Sequence, residues 1–189
     1  MSSNPGRSPD YDLEDVRIIT SSQELKAVHH PLRSVLIDLV LDRAASVAEL
    51  ASAVDRPPST VAYHVGKLVD AGLLRVVRTR RVRAIEERFY GRTARIFYVG
   101  QISADQVPLV TNYLPIAATE SAAAHRDDEL RALLRYANVP ADRVGPFWTK
   151  VMELFAEFSA MPRTGERGYA LVAGLYPVDH PTLPPPSED

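Results

Sequence analysis

Apolar residues recur every three to four positions through much of the first half of the chain, which is the spacing of helices that bury one face. In "PLRSVLIDLVLDR", residues 31–43, the apolar side chains fall at i, i+3, i+4, i+7 and i+8: Leu32, Val35, Leu36, Leu39 and Val40. Two capping boxes, Ser21 with Glu24 and Ser46 with Glu49, mark the starts of further helices. The pattern therefore predicts three consecutive helices before residue 55.

Another helical pattern follows the breaker "DRPP" and runs through "PSTVAYHVGKLVDAG", residues 58–72. Its predicted inward side chains are Val61, Val65, Leu68 and Val69. Gly72 fits the position just past the helix end, where a left-handed backbone favours glycine. Two short helices joined by about four breaker residues predict a helix-turn-helix.

After Gly72 the apolar period changes from 3.6 towards 2 in "LLRVVRTRR" and "AIEERFYG", with "RRVR" between them as the expected hairpin tip. A helix-turn-helix followed by a hairpin is a winged helix. "VRIIT", residues 16–20, is expected to form a short strand or an arm.

Positive charge is concentrated in this same region. Residues 56–95 carry ten Lys and Arg against three acids, a local net charge of +7, although the whole chain has a net charge of −2. Such a basic island is the footprint expected for binding a polyanion. An ordinary solvated charged surface is the alternative.

The outward face of the helix over 58–71 is small and polar at its N-terminal end, as in helices whose first turns enter the DNA major groove. Ala62 and Gly66 would let that helix approach DNA closely. The candidate DNA-binding residues of this helix and of the wing over 75–90 are Arg56, Ser59, Thr60, Tyr63, His64, Lys67, Arg78, Arg80, Arg81 and Arg83.

Each of these candidates has a structural alternative. Ser59 and Thr60 are ordinary helix-capping residues. His64 borders the inward face and could simply be packed there. The wing arginines could protect an exposed strand edge.

The stretches "SSQELKAVHHPLRSVLIDLV", "SVAELASAVDRPPSTVAYHVGKLVDAGLL" and "RRVRAIEERFY" together resemble the ArsR-type winged-helix transcriptional repressors of bacteria, over roughly residues 20–99. The resemblance implies a homodimer on a palindromic operator and an effector that alters DNA affinity. It also implies that Ser59, Thr60, Tyr63 and Lys67 face DNA and that His64 supports the helix. Arg80, Arg81 and Arg83 would form the wing tip.

The chain departs from the thiolate-using members of that family. Ser46 and Ala48 stand where those members carry a cysteine pair, and the chain has no cysteine. Arsenite or cadmium sensing through that site is therefore excluded. We expect no metal and no cofactor.

The remaining half of the chain predicts a helical module. Helices are expected from Ser103 to about Ala124, over "ELRALLRYANV" and near 141–160, followed by a buried strand in "GYALVAGLYPV". The apolar residues of the 141–160 helix cover more than one stripe, so it should bury two sides. Either it forms core and dimer interface, or it lines a pocket for an apolar effector with Trp148, Val151, Phe155 and Tyr169.

The predicted fold class is mainly α with a β-hairpin wing (α+β), a winged helix-turn-helix followed by a C-terminal helical module ending in a short strand. The predicted organisation is a disordered tail over 1–15, the winged helix over 16–100, a dimerisation and possible effector module over 101–178, and a Pro-rich disordered tail over 179–189.

The function predicted is sequence-specific binding of double-stranded DNA by a homodimeric transcriptional regulator, most simply a repressor. Nothing in the sequence indicates an enzyme: residues 100–189 contain neither a glycine-rich nucleotide loop nor a G-x-S-x-G motif. The absence of cysteine and of a long apolar run fits a cytoplasmic protein away from membranes. A winged helix that binds another protein instead of DNA is the alternative, because this fold fixes no function.

Overall fold

The computed structural model describes residues 9–82 and 85–181. The chain forms two units: the residues up to Thr111 together with Phe155–Gly168, and Asn112–Leu154 together with the residues from Tyr169 onwards. The elements of the first part of the chain are β1 (Glu14–Ile19), α1 (Ser22–Val28), α2 (Pro31–Leu39), β2 (Ala45–Ser46), α3 (Val47–Ala53), α4 (Pro58–Asp70), β3 (Leu74–Val82), β4 (Ile85–Arg92), β5 (Ala94–Val99) and a 3₁₀ helix over Ala104–Leu109. The later helices are α5 (Tyr113–Glu120), α6 (Ala122–Arg126) and α7 (Ala141–Ala160).

The first unit is a winged helix, so the predicted fold class is confirmed in its main part. Strands β3 and β4 form an antiparallel hairpin, and the short β2 pairs with the other edge of β4. Strands β1 and β5 form a separate parallel pair. Both predicted capping boxes are present, at the starts of α1 and α3.

The core of this unit is built from the predicted inward faces of the helices. Its fully buried side chains, each no more than 1 % exposed, include Leu25, Leu36, Val40, Leu50, Val61, Val65, Leu68 and Leu73. Val35 and Val69 lie at the edge of the pattern and are 48 % and 36 % exposed. Burying each large aliphatic side chain contributes about 1.5–3 kcal/mol, so this apolar stripe is what fixes α4 against the domain.

Helix α4 ends in a Schellman motif at Gly72. The Gly72 N–H donates to the Val69 carbonyl (2.8 Å) and the Leu73 N–H donates to the Leu68 carbonyl (2.9 Å). Gly72 has φ +68°, in the left-handed region that other residues enter at a cost. The chain can therefore reverse within one residue and start the wing.

The predicted disordered tail over residues 1–15 is wrong for residues 9–15. The Tyr11 hydroxyl donates to the Val40 carbonyl and accepts from the Arg92 N–H, and an Asp10 carboxylate oxygen accepts from the Ala44 N–H. Tyr11 lies flat against Gly91, where any Cβ would come within 2.6 Å of its ring. The contact forms because the glycine leaves room for the ring, and it joins residues about eighty positions apart. Residues 1–8 and 182–189 lie outside the described part of the chain.

The second half departs further from its prediction. Helix α7 has the predicted bounds, but "ELRALLRYANV" is not helical, and "GYALVAGLYPV" is neither a strand nor buried. The predicted helix from Ser103 is split into the 3₁₀ helix, α5 and α6. The residues of "ELRALLRYANV" are exposed apart from the half-buried Leu130, so little packing is available to stabilise a helix there.

We expect Gly72→Ala to lower the free energy of unfolding by about 1–2 kcal/mol, because alanine is strained at this backbone conformation. Gly66→Ala is the matched control, since Gly66 lies within α4 with open space around its Cα. That change should raise the free energy of unfolding by roughly 0.5–1 kcal/mol. Urea unfolding measures both, and equal effects of the two changes would contradict the role given to Gly72.

Candidate nucleic-acid interface

The outward face of α4 is exposed as predicted. Ser59, Thr60, Ala62 and Lys67 are exposed, and Tyr63 is 61 % exposed. The N-cap of the helix is Pro57, with no side-chain cap. Ser59 and Thr60 therefore lie inside the first turn, and the alternative in which they cap the helix is wrong. Among the described residues their hydroxyls have no hydrogen-bond partner.

His64 lies at the side of α4, half-buried against the start of α2. Its ring is 4.5 Å from the ring of His30, centroid to centroid, at an interplanar angle of 45°. The Nδ1 atoms of both rings are buried without a hydrogen-bond partner in the described structure. Burial lowers the pKa of His64, and the nearby His30 and Arg33 lower it further. A neutral His64 is therefore the form that suits this packing.

Two side chains of α4, His64 and Lys67, lie beside the Tyr63 ring. The Tyr63 ring meets the His64 ring edge-on at 5.3 Å, and the Lys67 ammonium lies 5.6 Å from the Tyr63 ring centre. Arg56 is exposed just before the helix. Tyr63 is thus held by neighbours on its own helix while its outer edge remains in solvent.

Arg78, Arg80 and Arg81 are in strand β3 and not in a tip loop. Arg80 and Arg81 pair across the hairpin with Glu87 and Glu86, and the ladder continues to Val82 opposite Ile85. The predicted tip at residues 80–83 is therefore wrong for residues 80–82. Arg83 lies outside the described residues.

Two of these arginines share one aromatic platform. The guanidinium groups of Arg78 and Arg80 lie 4.5 Å and 5.3 Å from the Phe89 ring centre. Arg78 is paired with Asp10 at 3.1 Å, and Arg80 with Glu87 at 2.7 Å. These exposed ion pairs hold the guanidinium groups in place at little energetic gain. Arg81 is exposed and has no ion-pair partner among the described residues.

Two cations counted in the basic island belong to the interior. Arg92 is 5 % exposed, donates from Nε to the Ala94 carbonyl at 2.8 Å, and lies 3.7 Å from the Asp38 carboxylate. Burial lowers the pKa of Arg92 to about 10. Arg95 lies 3.9 Å from Asp15, with only 11 % of its side chain exposed. The usable positive surface is therefore smaller than the sequence count of charges suggests.

The predicted effector-pocket residues are spread over the second half of the chain. Trp148, Val151 and Phe155 on α7 are half-buried, and Tyr169 is 77 % exposed. Helix α7 has no fully buried residue, so the prediction that it buries two sides is wrong for the single chain. The effector pocket remains a prediction.

No helix within residues 9–82 and 85–181 has both the length and the hydropathy needed to span a membrane. Within the same ranges, no three His, Asp or Glu side chains form a group able to hold a metal ion.

Residues 29–77 match the family model of a helix-turn-helix domain. HlyU from Vibrio cholerae N16961 is 28 % identical, with 38 % of this chain and 70 % of HlyU covered and a TM-score of 0.32. Rv0081 from M. tuberculosis is 24 % identical, covering 58 % of this chain and 92 % of that one, with a TM-score of 0.32.

A third similar structure is the transcriptional repressor BigR from Xylella fastidiosa, at 21 % identity, 59 % coverage of this chain, 88 % coverage of BigR and a TM-score of 0.32. No curated protein sequence matches the chain significantly.

The match over residues 29–77 covers α2, α3, α4 and the first residues of β3, which are the elements that the sequence predicted as helix-turn-helix. It confirms the helix-turn-helix that the sequence predicted. The fold and the match together define a winged helix-turn-helix protein.

The His30–His64 contact predicts a pH-dependent stability. The pKa of folded His64 lies below its ordinary value of 6.5, so at a pH between these two values the unfolded chain binds more protons than the folded chain. The contribution of neutral His64 to the free energy of unfolding is therefore fully present above pH 6.5. It is lost as the pH falls from 6.5 through the pKa of folded His64. We expect the urea midpoint of the wild type to drop between about pH 7.5 and pH 5.5, and that of His64→Gln to drop less.

The matched control is His125→Gln, because His125 is exposed on α6. This variant should follow the wild type across the same pH range. Equal pH dependence in His64→Gln and the wild type would contradict the role of His64.

Proposed function

We propose that this protein is a sequence-specific double-stranded DNA-binding transcriptional regulator, a cytoplasmic homodimeric repressor whose operator is palindromic. Helix α4 (Pro58–Asp70) would enter the major groove, and the predicted wing over 75–90 would contact the backbone or the minor groove. The observation that carries the proposal is the exposed, small and polar N-terminal face of α4 beside an arginine-bearing hairpin.

Helix α4 has the shape needed for a recognition helix. Ala62 presents only a methyl group and Gly66 none, so the helix axis can come close to the base edges. The hydroxyls of Ser59 and Thr60 are free to bond bases or phosphates, because neither caps the helix. Tyr63 is placed to contact a phosphate or a thymine methyl group. These residues lie within the first turns, where recognition helices contact bases.

The wing supplies positions for phosphate contacts. Arg81 is exposed without an ion-pair partner among the described residues, so it can bind a phosphate directly. Arg78 and Arg80 would have to exchange a carboxylate for a phosphate, which reduces what each contributes. Arg81 is therefore the wing arginine expected to contribute most.

Exposed apolar residues support self-association. Phe147 and Leu154 on α7 are 56 % and 61 % exposed, and Leu133 and Tyr169 are 89 % and 77 % exposed. Large exposed apolar patches commonly mark interaction sites. We propose that these exposed apolar residues form the homodimer contact. The second role proposed for this half of the chain is to bind a small apolar effector near Trp148, Val151, Phe155 and Tyr169.

Substitutions should separate the residues that contact bases from those that contact phosphates. Tyr63→Ala or Thr60→Ala is expected to reduce the preference for the selected site by ~1–3 kcal/mol while leaving binding to random duplex nearly unchanged. Arg81→Ala should weaken binding to every duplex alike and reduce the salt slope by about one unit. Fluorescence anisotropy on selected and random duplexes measures both effects. The reverse pattern would mean that the two roles are exchanged.

The function itself is tested by anisotropy of the wild type on a pool of random duplexes across a salt series, followed by selection of bound sequences. We expect binding that weakens steeply with salt and a selected site with two-fold symmetry. Sedimentation of the same sample should give twice the monomer mass. No binding at low salt would contradict the proposal and favour a wing that binds protein.

A further inference from the structure

A surface depression of about 420 Å³ lies between α1, α2 and α4. It is lined by Gln23, Lys26, Ala27, Arg33, Lys67 and Asp70. We call this depression the basic basin. It gathers three cations and one carboxylate from three separate helices, which sequence reasoning did not bring together.

Arg33 is the fixed member of the basic basin. Its Nε donates to the Ala27 carbonyl at 2.7 Å, and one terminal nitrogen donates to the Lys26 carbonyl at 2.6 Å. These bonds satisfy carbonyls at the C-terminal end of α1 and leave part of the guanidinium fork unused, since arginine has five N–H donors. Burial lowers the pKa of Arg33, yet no carboxylate forms an ion pair with it among the described residues. The group is thus half-buried, held in place and unneutralised.

The two lysines of the basic basin are also unneutralised. Neither Lys26 nor Lys67 has an ion-pair partner in the described structure, although both are exposed. The one carboxylate on the rim belongs to Asp70, whose backbone carbonyl accepts a hydrogen bond from Gln23 at 3.0 Å. By contrast, Arg78 and Arg80 of the wing are both paired with acids. The basic basin therefore offers an anion free positive charge that most of the wing does not.

Lys67 belongs both to the basic basin and to the outward face of α4. Lys67 follows Tyr63 by one helical turn, and its ammonium lies 5.6 Å from the Tyr63 ring centre. A strand lying along the outer face of α4 would pass this point. Arginine suits the two oxygens of a phosphate through its planar fork, and lysines suit it as point charges.

We propose that the basic basin of Lys26, Arg33 and Lys67 binds a phosphate group of the DNA backbone at the border of the groove that α4 enters. This inference rests on the proposed function, and it adds α1 and α2 to the contact surface. The same chemistry could accept a free phosphate, so the source of the phosphate is part of the test.

The chain allows a clean labelling experiment, because it has three lysines, Lys26, Lys67 and Lys150. Two line the basic basin, and Lys150 lies on α7. The full chain is acetylated briefly with and without selected duplex, and mass spectrometry gives the labelling rate at each lysine. We expect duplex to slow labelling at Lys26 and Lys67 several-fold and to leave Lys150 unchanged.

A second arm replaces the duplex with inorganic pyrophosphate. Protection by pyrophosphate with none by bound duplex would overturn the DNA assignment and identify a free-phosphate site. Binding of duplex with Lys26 labelled at its free rate would overturn the basic basin while leaving the proposed function intact. Absence of duplex binding would overturn both.

Variants provide an independent readout that a folding defect would not imitate. The double variant Lys26→Gln with Lys67→Gln should reduce the slope of log affinity against log salt by roughly one unit for each basic basin in the complex, at about 0.9 per phosphate contact. Lys150→Gln is the matched control and should keep the wild-type slope. A double variant with the wild-type slope and unchanged unfolding midpoint would overturn the proposal. Arg33 is left in place because it also bonds the α1 carbonyls.

Discussion

The left-handed turn at Gly72 is the point on which the geometry of the winged helix depends. It ends α4. The Gly72 carbonyl accepts hydrogen bonds from the Arg17 guanidinium of β1 and from the Thr93 hydroxyl, the latter at 2.9 Å. Leu73, the next residue, is fully buried in the core. Because all of these meet at one peptide, the angle between α4 and the hairpin is set by the fold before any DNA is present. A surface of this kind can contact two features of a duplex without first being ordered, which avoids an entropic cost on binding.

Much of this first unit could be predicted from the sequence because its signals are local. Capping boxes at Ser21 and Ser46, the apolar period of α2 and α4, and Gly72 each act within a few residues of the element they define. The exposed face of α4 follows directly once its buried face is known. The hairpin was also predictable, although its tip was placed too early because the arginine run continues into the paired strand.

The features that could not be predicted depend on contacts between residues that are distant in the sequence. Nothing in the local pattern pairs His30 with His64, places Tyr11 on Gly91, or brings Lys26 and Arg33 beside Lys67. Charge counting gave Arg92 the same weight as Arg81, although one is buried and the other is exposed. In the second half, "ELRALLRYANV" has a helical apolar pattern, but Leu133 and Leu134 are 89 % and 57 % exposed. Most of the stability of a helix in a protein comes from packing of its apolar face, and local sequence does not show whether that packing is available.

The segment just before β1 joins the body of the domain to the wing. Asp10 accepts from the Ala44 N–H with one carboxylate oxygen and pairs with Arg78 through the other, while the Asp12 carbonyl accepts from Arg75. Asp10 and Asp12 thus hold the wing against the body of the domain, and removing them would have two opposed effects. A chain beginning at residue 16 would release Arg78 from its carboxylate, giving stronger and less selective attraction to any polyanion. It would also remove the Asp12 carbonyl from Arg75 and the Tyr11 ring from Gly91, so the hairpin would lose contacts with the rest of the domain.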